Sequence, residues 1–480
     1  MKSEHKNTIL LGLILVFALI LRLTFFQGVG TSDSLTTTRY AYDISNDDFP
    51  TSKNQGNSRI GLLIPVSFLY SIFGVNEFSS GIFPLITSLL GIVLIFLFGR
   101  LLFNEKVGLI AAFLLSIFPL DILYATRLMS DLPSAVFSAL AVYLFLNAEK
   151  IDKNQIKFVL YAFSGMSLGI SFSIREMAIL TFLFFAGYVI YNKKIKLSYG
   201  LVAVGFLSIF ILELYFFYAH TGDIFYRFHS LSGYYIDSLK ASNFMGRLSF
   251  PNFFLAFPYI IFGNIQLGYF YTFISLATIY FLFNRKWRTN ILIMWVGVIY
   301  LYLNFGSSSL SSYAPFFGVQ RYLSYITIPA ILLLAAFLME EKKIIRKIIL
   351  PYTLIFLFFV SFGATYMDDF RHSLDNLHIL YPHIKSIDMP IYSDYRTISS
   401  INFISGYENN LNLVDLDSSP EDIKNIENAY IIINNQMIER VRTAGKDFEF
   451  TSKIRQVPSS WVKIKEIDQG KNKIIIYYSS

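Results

Sequence analysis

The chain has 480 residues, of which 54% are hydrophobic, 18% aromatic and only 15% charged, with a formal net charge of +7. An average soluble domain carries roughly 25% charged residues, so this composition excludes an ordinary soluble protein and indicates a polytopic membrane protein. Cysteine is absent, which excludes disulfides, thiolate catalysis and cysteine-based metal sites.

Apolar stretches dominate the chain as far as Met367. A helix needs about 17 to 25 apolar residues to cross a bilayer, because lipid cannot hydrogen-bond an exposed backbone. The first stretch lacks a small-residue cleavage site, so we expect it to remain as an anchor. In chain order we predict eleven membrane-spanning helices, at residues 9–26, 78–102, 107–124, 131–148, 158–174, 177–191, 197–219, 266–283, 291–305, 322–339 and 348–367.

A twelfth apolar run, Ile60–Phe73, is short for a span and contains Pro65. We therefore predict an interfacial helix on the outer surface. With this topology the short inner loops hold fifteen basic residues, as the positive-inside rule requires. These residues are Arg100, Lys106, Lys150, Lys153, Lys157, Lys193, Lys194, Lys196, Arg285, Lys286, Arg288, Lys342, Lys343, Arg346 and Lys347.

This charge pattern predicts a multi-pass protein of the cell membrane with a cytoplasmic N-terminus and an extracytoplasmic C-terminal domain. The inner loops account for the net charge, which favours membrane lipid as the partner, and no nucleic acid is expected. Arg22 lies near the outer end of the first span, where its side chain is expected to snorkel to the interface.

The composition becomes polar after Met367, and strands are predicted at residues 390–395, 411–417, 430–434, 461–467 and 473–478. Helical patterns at 398–407 and 421–428 lie between the first three strands. This alternation predicts a small α/β domain with a largely parallel sheet. We expect a membrane module at residues 1–367, with a catalytic first outer loop at 27–59 and the interfacial helix at 60–74, and a soluble domain at 368–480.

Short motifs follow one another in a fixed order along residues 9–340. They are Thr31-Ser32-Asp33-Ser34 with Ala41, Arg59 with Pro65, Phe73-Gly74-Val75-Asn76-Glu77, Leu97-Phe98-Gly99-Arg100-Leu101-Leu102-Phe103, Ile117-Phe118-Pro119, Arg127 with Asp131, and Arg321-Tyr322 with Pro329. In this order they resemble the GT-C glycosyltransferases, in the family 39 branch of protein O-mannosyltransferases and lipid A aminoarabinose transferases. The chain is thus expected to be an α-helical polytopic membrane protein of GT-C type.

The resemblance implies a transferase that moves a sugar, with inversion, from a polyprenyl or dolichyl phosphate to an acceptor hydroxyl. The acceptor is a protein, a lipid or a glycan on the outer face of the membrane, and no cofactor or bound metal is expected. His378 and His383 are five residues apart in a polar segment, a spacing more typical of surface residues than of metal ligands.

The resemblance places the catalytic base at Asp33. Physically, this carboxylate would take the proton from the acceptor hydroxyl as its oxygen attacks the anomeric carbon. A helix cap is the alternative for an Asp in a Ser/Thr-rich stretch. Ser34 and Thr37 stand where the family often has a second acid and a tyrosine. Other candidates for the base are therefore Asp43, Asp47 and Asp48.

The leaving lipid phosphate requires cations near the outer surface, and guanidinium groups suit it because they donate two hydrogen bonds in a fixed fork. Arg59 is the first candidate, Arg321 the second and Arg175 the third. For Arg175, an ion pair with the neighbouring Glu176 or snorkelling is the alternative.

Asp131 is a second catalytic candidate, and together with Arg127 it is expected to shape the substrate cleft. Asp131 could equally cap the fourth span or pair with Arg127, four residues earlier. Rival functions are a multi-pass transporter, a lipid-linked glycan polymerase or ligase, and a sensor. A transporter would place ionisable groups near the bilayer midplane, whereas the predicted spans are nearly free of charge apart from Glu213.

Overall fold

The structure, a computed structural model, describes residues 2–30, 33–50, 55–231, 251–307, 313, 315–316, 318–340, 345–367, 374–408, 410–416, 425–435, 457–469 and 472–480. This part of the chain is mainly helical, with a small sheet towards the C-terminus. The helices are α1 (Lys2–Thr24), α2 (Asp33–Ser45), α3 (Ile60–Phe73), α4 (Glu77–Leu102), α5 (Glu105–Ser116), α6 (Pro119–Tyr124), α7 (Asp131–Lys150), α8 (Asn154–Ile174), α9 (Thr181–Asn192), α10 (Gly200–Thr221), α11 (Asn252–Gly263), α12 (Ile265–Phe283), α13 (Trp287–Phe305), α14 (Ser324–Leu338), α15 (Leu350–Met367), α16 (Asp375–Ile384) and α17 (Tyr395–Ile404).

Eight helical segments of the described ranges are long and apolar enough to cross a membrane, or nine if α11 and α12, bent by 110°, form one broken span. The predicted class of polytopic helical membrane protein is confirmed, and the count of eleven spans is approximate. The predicted span 107–124 is instead two helices, α5 and α6. Phe118 leaves the helical conformation, and Pro119 restarts the chain at the first position of α6, where the missing N–H of proline costs nothing.

The helix α3 has the bounds that hydrophobicity predicted, with Pro65 inside it. One of its faces packs against α2, and this contact cluster contains Ala41, Leu62, Leu63, Val66 and Tyr70. The opposite face leaves Ile64, Phe68 and Ile72 more than 40% exposed. Because these three residues are four apart, they form an apolar stripe along the helix.

Arg22 does not snorkel, since its side chain is fully buried in the bundle. Its Nη2 lies 2.5 Å from Oδ1 of Asp121 on α6. Its Nε donates to Ser88 Oγ at 2.7 Å, and its Nη1 donates to the carbonyl oxygens of Ala18 and Ser116. These partners compensate the buried charge. The prediction that Arg22 lies at the interface was therefore wrong, because the side chain is inside the bundle.

The C-terminal sheet consists of β1 (Ile391–Ser393), β2 (Leu413–Asp415), β3 (Ala429–Asn434), β4 (Trp461–Gln469) and β5 (Asn472–Ser479), in the order β2-β1-β3-β5-β4. β1 pairs in parallel with β2 and β3, whereas β5 is antiparallel to β3 and β4. The sheet is therefore mixed, and the prediction of a largely parallel sheet was wrong. The short connection between β4 and β5 permits only antiparallel pairing of these two strands. The helix predicted at 398–407 is α17, and residues 421–424 of the helix predicted at 421–428 lie outside the described residues.

The sheet and the helices α16 and α17 follow the last apolar helix, which ends at Met367. They sit on α2 and on the start of α4. Val29 and Leu35 belong to the same buried cluster as Leu377 of α16, and His378 Nε2 lies 3.6 Å from Glu77 Oε1. We call this end of the helix bundle the domain end. The division of the chain into domains at residue 367 stays a prediction.

Candidate active site

Asp33 and Arg321 meet at the domain end of the bundle. Asp33 is the first residue of α2, and Arg321 lies in the 3₁₀ turn Gln320–Leu323 that leads into α14. Both terminal nitrogens of Arg321 are 3.2 Å from Oδ2 of Asp33. The Asp33 side chain is 58% exposed and that of Arg321 20% exposed, so solutes can reach the pair.

A buried ion pair lies behind Arg321. Asp131, the first residue of α7, is fully buried, and its Oδ2 is 2.5 Å from Nη1 of Arg175 at the end of α8. Arg321 Nε lies 3.6 Å from the same carboxylate oxygen. The Arg175 guanidinium also stacks on the ring of Tyr322, at 5.1 Å from its centre. Arg175 is therefore buried and paired with Asp131 rather than snorkelling.

Glu176 connects this pair to Arg59 at the start of α3. Its Oε1 accepts a hydrogen bond from Gln55 at 2.7 Å and lies 3.4 Å from Nη2 of Arg59. Its Oε2 lies 3.8 Å from Nη2 of Arg227. The side chains of Arg59 and Glu176 are each 15% exposed, so Arg59 is a second arginine that a ligand can approach.

Arg227 is almost completely buried, and its Nη1 is 2.6 Å from Oε1 of Glu213 on α10. Its two terminal nitrogens also donate to the carbonyl oxygens of Ser58 and Phe172. Sequence reasoning noted Glu213 and missed its partner Arg227. An acid within an apolar helix was the available signal, since such a residue requires a partner.

The charges of the site keep Asp33 ionised. Desolvation by the surrounding protein atoms would by itself raise the pKa of Asp33, but Arg321, with smaller contributions from Arg59 and Arg175, holds it below the usual value for an aspartate. The position of Asp33 at the N-terminus of α2 acts in the same direction, because the helix dipole favours a negative charge there. Asp33 is thus a carboxylate that stays ionised at neutral pH.

Arg127 lies beside the first loop. A Cβ atom on Gly30 would be 3.1 Å from Arg127 Nη2, and the guanidinium is 5.9 Å from the centre of the Tyr124 ring. The ion-pair contacts of Asp131 go instead to Arg175 and Arg321. Arg127 therefore lies against the backbone at Gly30.

The alternative bases are at the far end of α2. Asp43 pairs with Arg39 at 2.8 Å. It lies ten residues after Asp33, which corresponds to about 15 Å along a helix. Asp47 and Asp48 lie beyond the end of α2. Asp33 is thus the predicted base that the fold brings to Arg321.

No group of three or more His, Asp or Glu side chains in the described part of the chain could hold a metal ion. Instead, the acids of the site face arginines: Asp33 faces Arg321, Asp131 faces Arg175, and Glu176 faces Arg59. This arrangement can neutralise an anionic ligand with guanidinium groups.

Comparison with known proteins gives a family match and a fold match. Residues 64–216 match the model of the dolichyl-phosphate-mannose-protein mannosyltransferase family. No curated protein is significantly similar in sequence. ArnT from Cupriavidus metallidurans in the apo state aligns over 99% of this chain and 98% of its own, with a TM-score of 0.62 and 12% identity.

ArnT bound to undecaprenyl phosphate aligns over 97% of both chains, with a TM-score of 0.60 and 12% identity. The apo oligosaccharyltransferase of Archaeoglobus fulgidus aligns over 91% of this chain and 70% of its own, with a TM-score of 0.57 and 13% identity. The chain therefore has the GT-C glycosyltransferase fold, and the resemblance drawn from the motifs is confirmed at this level.

Proposed function

We propose that this protein is an inverting glycosyltransferase that moves a sugar from a polyprenyl or dolichyl phosphate to an acceptor hydroxyl on the outer face of the membrane. The observation that carries the proposal is the solvent-accessible Asp33–Arg321 pair above the buried Asp131–Arg175 pair. The family match supports the reaction class. The structural similarity to ArnT with bound undecaprenyl phosphate supports the donor class.

Topology supports the outer face. The helices α4, α7 and α9 run from the domain end towards basic segments. Arg100 and Lys150 lie in the last turns of α4 and α7, and Lys193 directly follows α9. Basic loops stay in the cytoplasm, so the domain end and the C-terminal domain would face outwards. Asp33 would then meet donors and acceptors outside the cell.

In the proposed reaction, Asp33 takes the proton of the acceptor hydroxyl while the hydroxyl oxygen attacks the anomeric carbon. The bond from that carbon to the phosphate oxygen breaks at the same time, and the lipid phosphate leaves with the bonding electrons. A single displacement with the base and the leaving group on opposite faces of the sugar gives inversion. Placement of an ionised base contributes about 10²- to 10⁴-fold to such a reaction.

Arg321 and Arg59 would bind the leaving phosphate. Both guanidinium groups are partly exposed, whereas Arg175 is buried and would act by holding Asp131, which in turn orients Arg321. A phosphate oxygen would compete with Asp33 for Arg321, so donor binding would release the Asp33 carboxylate to act as the base.

The acids already face arginines, so we expect transfer without a divalent metal, and loss of activity in EDTA would contradict this.

The helix α3 offers a surface for the prenyl chain. Its exposed stripe of Ile64, Phe68 and Ile72 begins one turn after Arg59. An isoprenoid chain lying on this stripe would place its phosphate near Arg59. This supports a lipid-linked donor over a soluble sugar nucleotide.

The test is sugar transfer from a panel of labelled polyprenyl phosphate sugars to membrane extract by the purified protein. Asp33→Asn keeps the shape of the side chain and removes its basicity, and Asp43→Asn is the matched control on the same helix. Transfer by the wild type and by Asp43→Asn, with loss in a folded Asp33→Asn, supports the proposal. Full activity of Asp33→Asn would overturn the assignment of the base, and no transfer from any donor would overturn the donor class.

A further inference from the structure

Tyr407 of the C-terminal domain lies directly against α2, the helix that begins with Asp33. Its hydroxyl is 2.8 Å from Oγ1 of Thr38, and its ring centre is 4.8 Å from that of Tyr42. The Arg39 guanidinium lies 5.2 Å from the centre of the same ring. Thr38 and Tyr42 are one helical turn apart, so Tyr407 covers one side of α2.

The direction of the hydroxyl bond follows from the bonding of Thr38. The Thr38 hydroxyl donates to the carbonyl oxygen of Leu35 at 2.7 Å, and therefore Tyr407 donates to Thr38. Thr38 is fully buried. A hydrogen bond shielded from water in this way resists exchange with solvent, and loss of its donor leaves a buried oxygen short of a partner.

The backbone at Tyr407 is held in an uncommon conformation. Its φ is +63°, and that of Gly406 before it is +69°. The Tyr407 N–H donates to the carbonyl oxygen of Asn402 at 2.7 Å, which closes the turn after α17. A tyrosine rarely adopts a left-handed conformation unless its surroundings fix it. The turn thereby points the ring at α2.

Apolar contacts also hold α2. Ala41 lies in the cluster with α3, and Leu35 is buried in the cluster of the C-terminal domain, against which Tyr407 packs. The helix is therefore clamped between the membrane bundle and the domain. A small rotation or shift of α2 would move Asp33 away from Arg321, which is 3.2 Å away.

We propose that Tyr407 is a positioning residue, which fixes α2 from the C-terminal domain so that Asp33 is correctly placed as base. This inference rests on the proposed function and extends it, because it gives the C-terminal domain a role in the chemical step. In this role Tyr407 acts through α2 and not on the donor or acceptor directly. Misplacement of a reacting group by about 1 Å can cost 10²-fold in rate, so even a single hydroxyl bond on α2 is expected to matter.

The experiment compares Tyr407→Phe, Thr38→Val and the double variant with the wild type in the full-length purified protein. Tyr407→Phe keeps the ring on Tyr42 and Arg39 and removes the hydroxyl. We expect kcat to fall about tenfold with donor KM within about twofold, because a misplaced base slows the chemical step and leaves donor binding intact. Tyr478→Phe is the control, since that ring packs on Tyr430 inside the sheet.

The double variant tests the contact itself. If the hydroxyl bond carries the effect, the double variant loses no more than the worse single variant. Equal kcat for Tyr407→Phe and Tyr478→Phe in an active wild-type background would overturn the positioning role and leave the proposed function standing. An inactive wild type would instead overturn the proposed function. A fall in thermal stability with unchanged kcat would reduce Tyr407 to a structural contact and also overturn the inference.

Discussion

Two arginine–aspartate pairs of this protein have the same chemistry and opposite surroundings. Arg22 and Asp121 are 0% and 5% exposed and 2.5 Å apart, and Ser88 with two backbone carbonyls occupies the other donors of the guanidinium. Arg321 and Asp33 are 20% and 58% exposed and 3.2 Å apart. The first pair is closed to ligands, and the second is open.

This difference in exposure indicates which pair contributes to stability and which can contribute to function. Removal of one partner from a buried pair leaves the other charge uncompensated, which lowers the free energy of unfolding by about 3–5 kcal/mol. An exposed pair contributes about 0–1 kcal/mol, so it can exchange its partner for a ligand. We therefore assign Arg22 and Asp121 to the architecture and Arg321 and Asp33 to the proposed chemistry. Asp131 and Arg175 lie between these extremes, buried but in contact with Arg321.

The largest effect is expected for Asp131→Asn, which should lower both the stability of the protein and its transfer activity. Arg175 would lose its buried partner, so the free energy of unfolding should fall by about 3–5 kcal/mol. Transfer should fall about 100-fold because Arg321 loses its orientation. Thermal unfolding and initial rates measure the two effects. Arg175→Gln in the same chain should recover part of the stability and none of the transfer, and a stable, active Asp131→Asn would contradict the assignment.

Asp121→Asn should affect stability alone. The uncompensated Arg22 should lower the free energy of unfolding by about 3 kcal/mol, whereas kcat per folded molecule should stay within about twofold. Asp33→Asn should show the opposite behaviour: transfer is lost, whereas the free energy of unfolding stays within about 1 kcal/mol of the wild type. Unfolding curves in the same detergent compare the two. A large loss of kcat in folded Asp121→Asn would mean that the closed pair takes part in catalysis.

Arg321→Lys tests whether the open pair binds phosphate. Lysine keeps the charge but loses the fork that donates two parallel hydrogen bonds. We expect kcat/KM for the donor to fall about 10- to 100-fold at nearly unchanged stability. Arg100→Lys, at the opposite end of the bundle, should stay within about twofold. Equal rates for both variants would remove Arg321 from the donor site.

The smallest expected effect is on the pH profile. Asp33 acts as base only when ionised, so activity is present above its pKa and is lost as the pH falls through it. Because Arg321 lowers the pKa of Asp33, the wild-type rate should decline only below about pH 3.9, the ordinary value for an aspartate. Arg321→Gln removes the main lowering charge while burial still raises the pKa, so the acidic limb of kcat/KM should move to higher pH. An unmoved limb would argue against Asp33 as the titrating base.

Local properties of the chain carried much of the prediction. The bounds of α3 follow from an apolar run that ends at Gly74. The strands predicted at 461–467 and 473–478 lie within β4 and β5. The resemblance carried by the order of the motifs implied the GT-C fold, and it pointed to Asp33, Arg59 and Arg321. The bounds of α3 and the strands depend on hydropathy and periodicity, which are contained within short stretches of sequence.

Partner choice was decided by the tertiary structure. Arg22 and Asp121 are 99 residues apart, and Asp33 and Arg321 are 288 residues apart, so no local pattern connects them. Sequence placed Arg22 at the interface and gave Asp131 a partner four residues away, because local rules offer only neighbours. Charges buried in a membrane bundle must find partners wherever the packed helices bring them. The sequence thus determined which residues could carry the chemistry, and the packing of distant helices decided which arginine each carboxylate meets.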